Sequence, residues 1–118
     1  MKSTFVRLAV HLLADLNQAG VRIGVLSNAT SDMARQARKS DWGRFVGDWY
    51  FSAELRLAKP DPAIYRHITH DLGIQPGSIL FIDDRPQNIG AALQVGWHAH
   101  VWTSPSDTTR LFAIAGAF

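Results

Sequence analysis

The stretch Ile79-Leu-Phe-Ile-Asp-Asp-Arg-Pro-Gln-Asn88 does most to limit what this chain can fold into. Four apolar residues run into two adjacent carboxylates, Asp83 and Asp84. A turn with Pro86 follows, then an amphipathic segment through Ala91, Ala92, Leu93 and Val95 to Gly96. A short apolar run bounded by turn residues is the pattern of a buried strand, most often a parallel one. Open α/β sheets bind ligands at the carboxyl ends of such strands. Two neighbouring carboxylates there repel each other unless a cation, a basic side chain or backbone donors compensate them. The stretch is therefore either a divalent-metal site or a capped helix start.

The rest of the chain repeats the strand-to-helix alternation. Phe5, Leu8, Ala9, Leu12, Leu13 and Leu16 share one helical face, with Ser3 or Thr4 to cap it and Gly20 to stop it. Residues 21–27 read as a strand. It ends in a run of small polar residues from Ser27 to Asp32 that opens a second helix of about ten residues. Trp42 to Phe45 breaks that helix, Trp49-Tyr50-Phe51 is a short strand, and 52–58 is a loop. Pro60 holds Lys59 extended, and Asp61 caps a helix with Pro62 at its first position. That helix runs through Ile64, Tyr65, Ile68 and Leu72 to Gly73. Strand 79–82, the helix after Pro86 and a strand from His98 to Trp102 complete the pattern. The tail adds a turn at Ser104-Pro105 and a short helix from Asp107 to Ala113. The expected fold is one domain over 1–118, a three-layer, doubly wound parallel α/β sheet.

Composition narrows the partners. The net charge is +2, but the arginines are scattered with no basic run, so nucleic acid is not expected. The chain has no cysteine, which excludes disulfides, thiolate metal sites and a cysteine nucleophile. No run approaches the roughly 20 apolar residues of a membrane helix, and the first residues are too polar for a signal peptide. A cytoplasmic protein with no membrane partner is the expectation.

Ser27-Asn28, Lys59, Asp83-Asp84 and Asn88 all fall at strand or loop ends, which a parallel sheet gathers along one edge. A hydroxyl, a helix start, an ammonium and a carboxylate pair suit a phosphate with a hard cation. Each piece also has a plainer role: Ser27-Asn28 as helix caps, Lys59 as a solvated loop lysine, Asp84 as the cap before Pro86. Asp83 is left over, because one helix start needs one cap. The histidines at 11, 67, 70, 98 and 100 lack ligand spacing with acidic partners and read as structural or surface residues.

Leu26-Ser-Asn-Ala29, Lys59-Pro-Asp-Pro-Ala-Ile-Tyr65 and Phe81-Ile-Asp-Asp-Arg-Pro-Gln-Asn88, in that order, resemble the second to fourth signatures of the haloacid dehalogenase-like hydrolase superfamily. The resemblance runs from the first helix to Trp102. It implies that Ser27 hydrogen-bonds a transferring phosphoryl group, with help from the backbone N–H of Asn28. Lys59 would neutralise nucleophile and phosphate. Asp84 would ligate Mg²⁺ directly, with Asp83 as a supporting group and Asn88 orienting the metal or its waters. Members that remove halides do not use the metal, so the acidic pair favours a phosphomonoester phosphatase acting on a small phosphorylated metabolite.

The family's nucleophile and general acid lie in an Asp-x-Asp signature on a central strand, and no Asp-x-Asp occurs in this chain. The cap domain is missing as well. The chain therefore resembles the carboxyl-terminal part of such a core. The central strand would lie between the strands ending in Ser27 and Asp83, and losing it leaves backbone groups unpaired at ~1–3 kcal/mol each when desolvated. Closure of the two strands, marginal stability and a strand-exchanged homodimer are the alternatives. The chain alone is expected to bind Mg²⁺ weakly or not at all and to be catalytically silent. The competing reading is a non-catalytic α/β module for binding or assembly. A phosphate-receiver domain also combines these groups, but in the reverse order along the chain.

Overall fold

A computed structural model of the chain describes residues 13–102. Helix α1 is described over 13–18. It is followed by β1 (Gly24–Ser27), α2 (Ser31–Arg38), β2 (Asp48–Phe51), a short α3 (Ser52–Leu55) and α4 (Pro62–Leu72). Then come β3 (Leu80–Asp83), α5 (Pro86–Gln94) and β4 (His98–Val101). The helical face from Phe5 to Leu12, its Ser3 or Thr4 cap, and the turn and helix expected after Thr103 lie outside the described residues.

Among the described residues both strand pairs are parallel. β1 runs beside β2 from Gly24 opposite Asp48 to Ser27 opposite Phe51. β3 runs beside β4 from Leu80 opposite His98 to Asp83 opposite Val101. Among the described residues these are two separate two-stranded sheets, and β1 does not pair with β3. The expected parallel α/β fold is present with its sheet incomplete. The interruption falls between the strands that end in Ser27 and Asp83.

Helix ends follow local chemistry. Gly20 and Gly73 hold φ of 79° and 67°, the left-handed region where glycine costs least. Asp61 caps α4 by accepting from the Ala63 N–H at 2.9 Å, with Pro62 at the helix start. Two expectations change. The strand predicted over 21–27 begins only at Gly24; ahead of it, Arg22 grips the Asp48 carboxylate with two hydrogen bonds of 2.7 and 3.0 Å. The predicted loop 52–58 opens instead with α3. Its Glu54 takes two 2.7 Å bonds from Arg38 of α2, and Arg56 ends it in the left-handed conformation. Nothing in Ser-Ala-Glu-Leu opposes a helical turn, and tertiary partners hold it there.

Strand periodicity divides the interior. Leu26 and Tyr50, opposite each other in register, join the larger core with Ile64, Tyr65, Ile68, Phe81, Ile89 and Trp97. Val25, Trp49 and Phe51 alternate to the other face, packing against Ala29, Ala34 and Ala37. The β1–β2 sheet is thus covered on both faces. Within the larger core, Tyr65, Phe81 and Trp97 form an edge-to-face trio with centroids 5.1–5.9 Å apart. The Trp97 N–H donates to the Thr69 hydroxyl at 2.8 Å, and Thr69 donates to the Tyr65 carbonyl at 2.8 Å.

Tyr50 also ties β2 to α4, donating to Asp71 at 2.6 Å. Burial, together with that carboxylate, pushes the phenol above its ordinary range, so the hydroxyl stays a donor. Tyr50→Phe is expected to cost about 1–2 kcal/mol, seen as a lower urea midpoint at constant slope. An unmoved midpoint would mean the bond contributes nothing.

Candidate active site

The carboxyl ends of β1 and β3 open into one cleft of about 260 Å³. Ser27, Asn28, Lys59, Asp83, Asp84 and Asn88 all line it, so every candidate named from the sequence is brought together. A wider depression of about 410 Å³ lies over Arg66, His70 and Pro76, away from the strand ends. Its Thr69 hydroxyl is already engaged on both sides.

Asp83 is the hub of the cleft. Its Oδ2 takes the Lys59 ammonium at 2.6 Å and the Asn88 amide at 3.3 Å, while Oδ1 takes the Arg85 N–H at 2.9 Å. The Asp83 and Lys59 side chains are only 7% and 11% exposed, so the pair is shielded from water. Burial alone would raise the Asp83 pKa. The Lys59 ammonium, the Arg85 N–H and the neighbouring Asp84 outweigh it, holding Asp83 below the ordinary carboxylate range. Asn88, only 4% exposed, is held from below: its main-chain carbonyl accepts from the Tyr65 hydroxyl at 3.0 Å. Burial and the nearby Asp83 push that phenol up to about 12.

The plainer roles of two candidates fail here. Helix α2 is capped by Thr30, whose hydroxyl accepts from the Met33 N–H at 3.2 Å, so neither Ser27 nor Asn28 is its cap. Helix α5 begins at Pro86 with Arg85 at the cap position and no side-chain cap bond. Asp84 is therefore not the cap either. It stands exposed beside Asp83, in no ion pair among the described residues. Lys59 is not a solvated loop lysine but a partner of Asp83. It precedes a cis bond to Pro60.

The sequence alone does not single out Gln87 or Ser52, and it offers Arg85 only as a basic neighbour that could neutralise the acidic pair. Arg85 and Gln87 also line the cleft. Ser52 steadies the loop after β1: its hydroxyl accepts from the Ala29 N–H at 3.0 Å and donates to the Ala29 carbonyl at 3.4 Å. Arg85 and Gln87 were findable as neighbours of the acidic pair, whereas Ser52 carried no signal, being 23 positions from its partner.

With this geometry in place, comparison with known proteins names the class. The chain matches the haloacid dehalogenase-like hydrolase family over residues 4–96, and it belongs to that family. It is 30% identical over 104 residues to hexitol phosphatase A of Escherichia coli (strain K12), covering 87% of this chain and 48% of that protein. It is 32% identical over 91 residues to (S)-2-haloacid dehalogenase 4A of Burkholderia cepacia, covering 76% and 39%. The structure of a HAD family enzyme from Bacteroides thetaiotaomicron, in complex with magnesium and inorganic phosphate, is similar with a TM-score of 0.77 and 27% identity. That match covers 88% of this chain and 56% of the other. The chain thus spans about half, or less, of the curated relatives named here. Among the described residues, no helix is long and apolar enough to cross a membrane.

The ion pair makes a pH prediction. A carboxylate depressed on folding contributes stability above the ordinary carboxylate range, and loses it as pH falls through the lowered folded value. Removing the ammonium takes away the strongest of the groups that oppose burial and so raises the Asp83 pKa. Lys59→Met should therefore lose roughly 2–3 kcal/mol at neutral pH and begin acid unfolding at higher pH than wild type. Arg38→Met, which breaks a more exposed pair, should leave the acid limb in place. An acid limb that does not move in Lys59→Met would contradict the account of Asp83.

Proposed function

We propose that this chain supplies the phosphate-and-cation wall of a Mg²⁺-dependent phosphomonoester phosphatase. The observation that carries the reading is the inequality of the acidic pair: Asp83 is neutralised internally by Lys59, while Asp84 stands exposed in the same cleft.

The donor set suits Mg²⁺ rather than a softer metal. Among the described residues no group of three or more His, Cys, Asp and Glu gathers as a closed cage. Mg²⁺ instead takes one or two carboxylates and completes its shell with water and phosphate oxygens. Asp84 would hold it, with Asp83 kept in place behind by Lys59, Asn88 and the Arg85 N–H. A bound Mg²⁺ would supply charge neutralisation at the phosphoryl oxygens. Ser27 offers a hydroxyl at the end of β1, and Lys59 brings its ammonium to the same cleft.

Support comes from both kinds of relative, a hexitol phosphatase and a HAD family structure with magnesium and inorganic phosphate. The haloacid dehalogenase match keeps halide removal in the family's range. The exposed second carboxylate favours phosphate chemistry, because a cation has a ligand there. No Asp-x-Asp occurs in these 118 residues, so the nucleophilic carboxylate the family uses would have to come from outside them. The substrate proposed for the whole enzyme is a small phosphorylated metabolite.

Two measurements test the reading. At Mg²⁺ concentrations high enough to fill a weak site, inorganic phosphate, followed by amide shifts at Ser27 and Lys59, should bind, and without Mg²⁺ it should not. Asp84→Asn should weaken that binding tenfold or more, while Asp41→Asn leaves it unchanged. The chain alone should turn over para-nitrophenyl phosphate no faster than buffer. Metal-independent turnover, or phosphate binding untouched in Asp84→Asn, would overturn the proposal. Absence of any phosphate binding would leave the non-catalytic α/β module as the better description.

A further inference from the structure

We infer that Asn28 is a positioning residue that sets Lys59 in place through the main chain, and that its side chain is not a phosphate ligand. The inference deepens the proposed phosphate site and rests on that reading for its functional meaning.

The geometry is a two-point clamp. The Asn28 Oδ1 accepts from the Lys59 N–H at 2.9 Å, and its Nδ2 donates to the Lys59 carbonyl at 3.0 Å. The carboxamide thus meets the peptide groups of Lys59 as a neighbouring strand would, from 31 positions away. Lys59 needs such a partner. It lies in a loop outside every helix and strand, and the next residue, Pro60, has no N–H to offer. No other backbone hydrogen bond to these two groups of Lys59 occurs among the described residues.

The clamp is itself anchored. Asn28 sits between the last residue of β1 and Ala29, whose N–H and carbonyl are both held by Ser52. Thr30 then caps α2. Asn28 therefore projects from a backbone fixed on both sides and carries that order across to Lys59. From there the lysine chain passes Phe81, with Nζ 5.8 Å from the ring centroid, and ends on Asp83 at 2.6 Å. A lysine has four flexible side-chain torsions, so fixing its backbone is the economical way to fix its ammonium. Both polar atoms of the Asn28 carboxamide are engaged in this contact, Nδ2 through one of its two hydrogens.

Lysine labelling tests the clamp directly. The chain has three lysines, Lys2, Lys39 and Lys59, so acetylation by acetic anhydride is readily mapped by mass spectrometry. In the full chain Lys59 should react slowly. In Asn28→Ala its rate should rise about tenfold while Lys39 is unchanged. Asn28→Asp keeps the acceptor and loses the donor, so it should give a smaller rise in a side chain of the same size. Ser52→Ala, which loosens the anchor of the clamp but leaves its two bonds to Lys59, should give a rise smaller than that in Asn28→Ala. An unchanged Lys59 rate in folded Asn28→Ala and Asn28→Asp, or an equal rise in Ser52→Ala, would overturn the inference.

A double-mutant cycle on inorganic phosphate with Mg²⁺ separates positioning from contact. Asn28→Ala should weaken binding about tenfold in wild type and add no further loss in the Lys59→Met background. A further loss there would make Asn28 a phosphate ligand and refute its assignment as a positioning residue. If the wild-type chain binds no phosphate, the proposed function fails, while the labelling rates still decide whether the clamp exists.

Discussion

Lys59 and Asp83 form the contact on which the rest of the cleft depends. Two charges at 11% and 7% exposure are costly unless they meet each other and their remaining bonding positions are filled. Those of Asp83 are filled, since it also takes the Arg85 N–H and the Asn88 amide, while Lys59 is gripped at its peptide by Asn28. The pair therefore connects the end of β3 and the start of α5 to the loop ahead of α4 and, through Asn28, to the end of β1. Strand ends that share no hydrogen-bonded ladder are joined by side chains at the point where a ligand would sit.

Features written in a few adjacent residues were legible in the sequence. Gly20, Gly73 and the Asp61-Pro62 helix start behave as their local chemistry dictates. The helix starts beside the site were less legible, because several residues could serve. Ser27, Asn28 and Thr30 are all competent caps, and packing selects Thr30; Asp84 is a good cap by type, yet Arg85 takes the position. Partnerships across long separations were not legible at all. The Asn28 clamp on Lys59 and the Ser52 hold on Ala29 exist only once the fold has brought distant loops together. Six of the residues lining the cleft could be named in advance because a parallel sheet collects its strand ends at one edge.

Family membership fits this division. A match over residues 4–96 to haloacid dehalogenase-like hydrolases includes relatives named for phosphate removal and for halide removal. The family's fold accounts for the parallel strands. Fold alone therefore does not choose between the two chemistries. The proposed phosphate reading turns on Asp84, which is exposed in the cleft while Lys59 engages its neighbour.

The inventory of charge in the cleft has a consequence for what can enter it. The residues lining this space of about 260 Å³ include Lys59, Arg85, Asp83 and Asp84, two cations and two anions. By that count the cleft is electroneutral, and it exerts little long-range pull on a free phosphate. A dianion arriving alone would leave it with uncompensated negative charge. A dianion accompanied by a divalent cation adds no net charge, so the two are accommodated more easily together than either is alone.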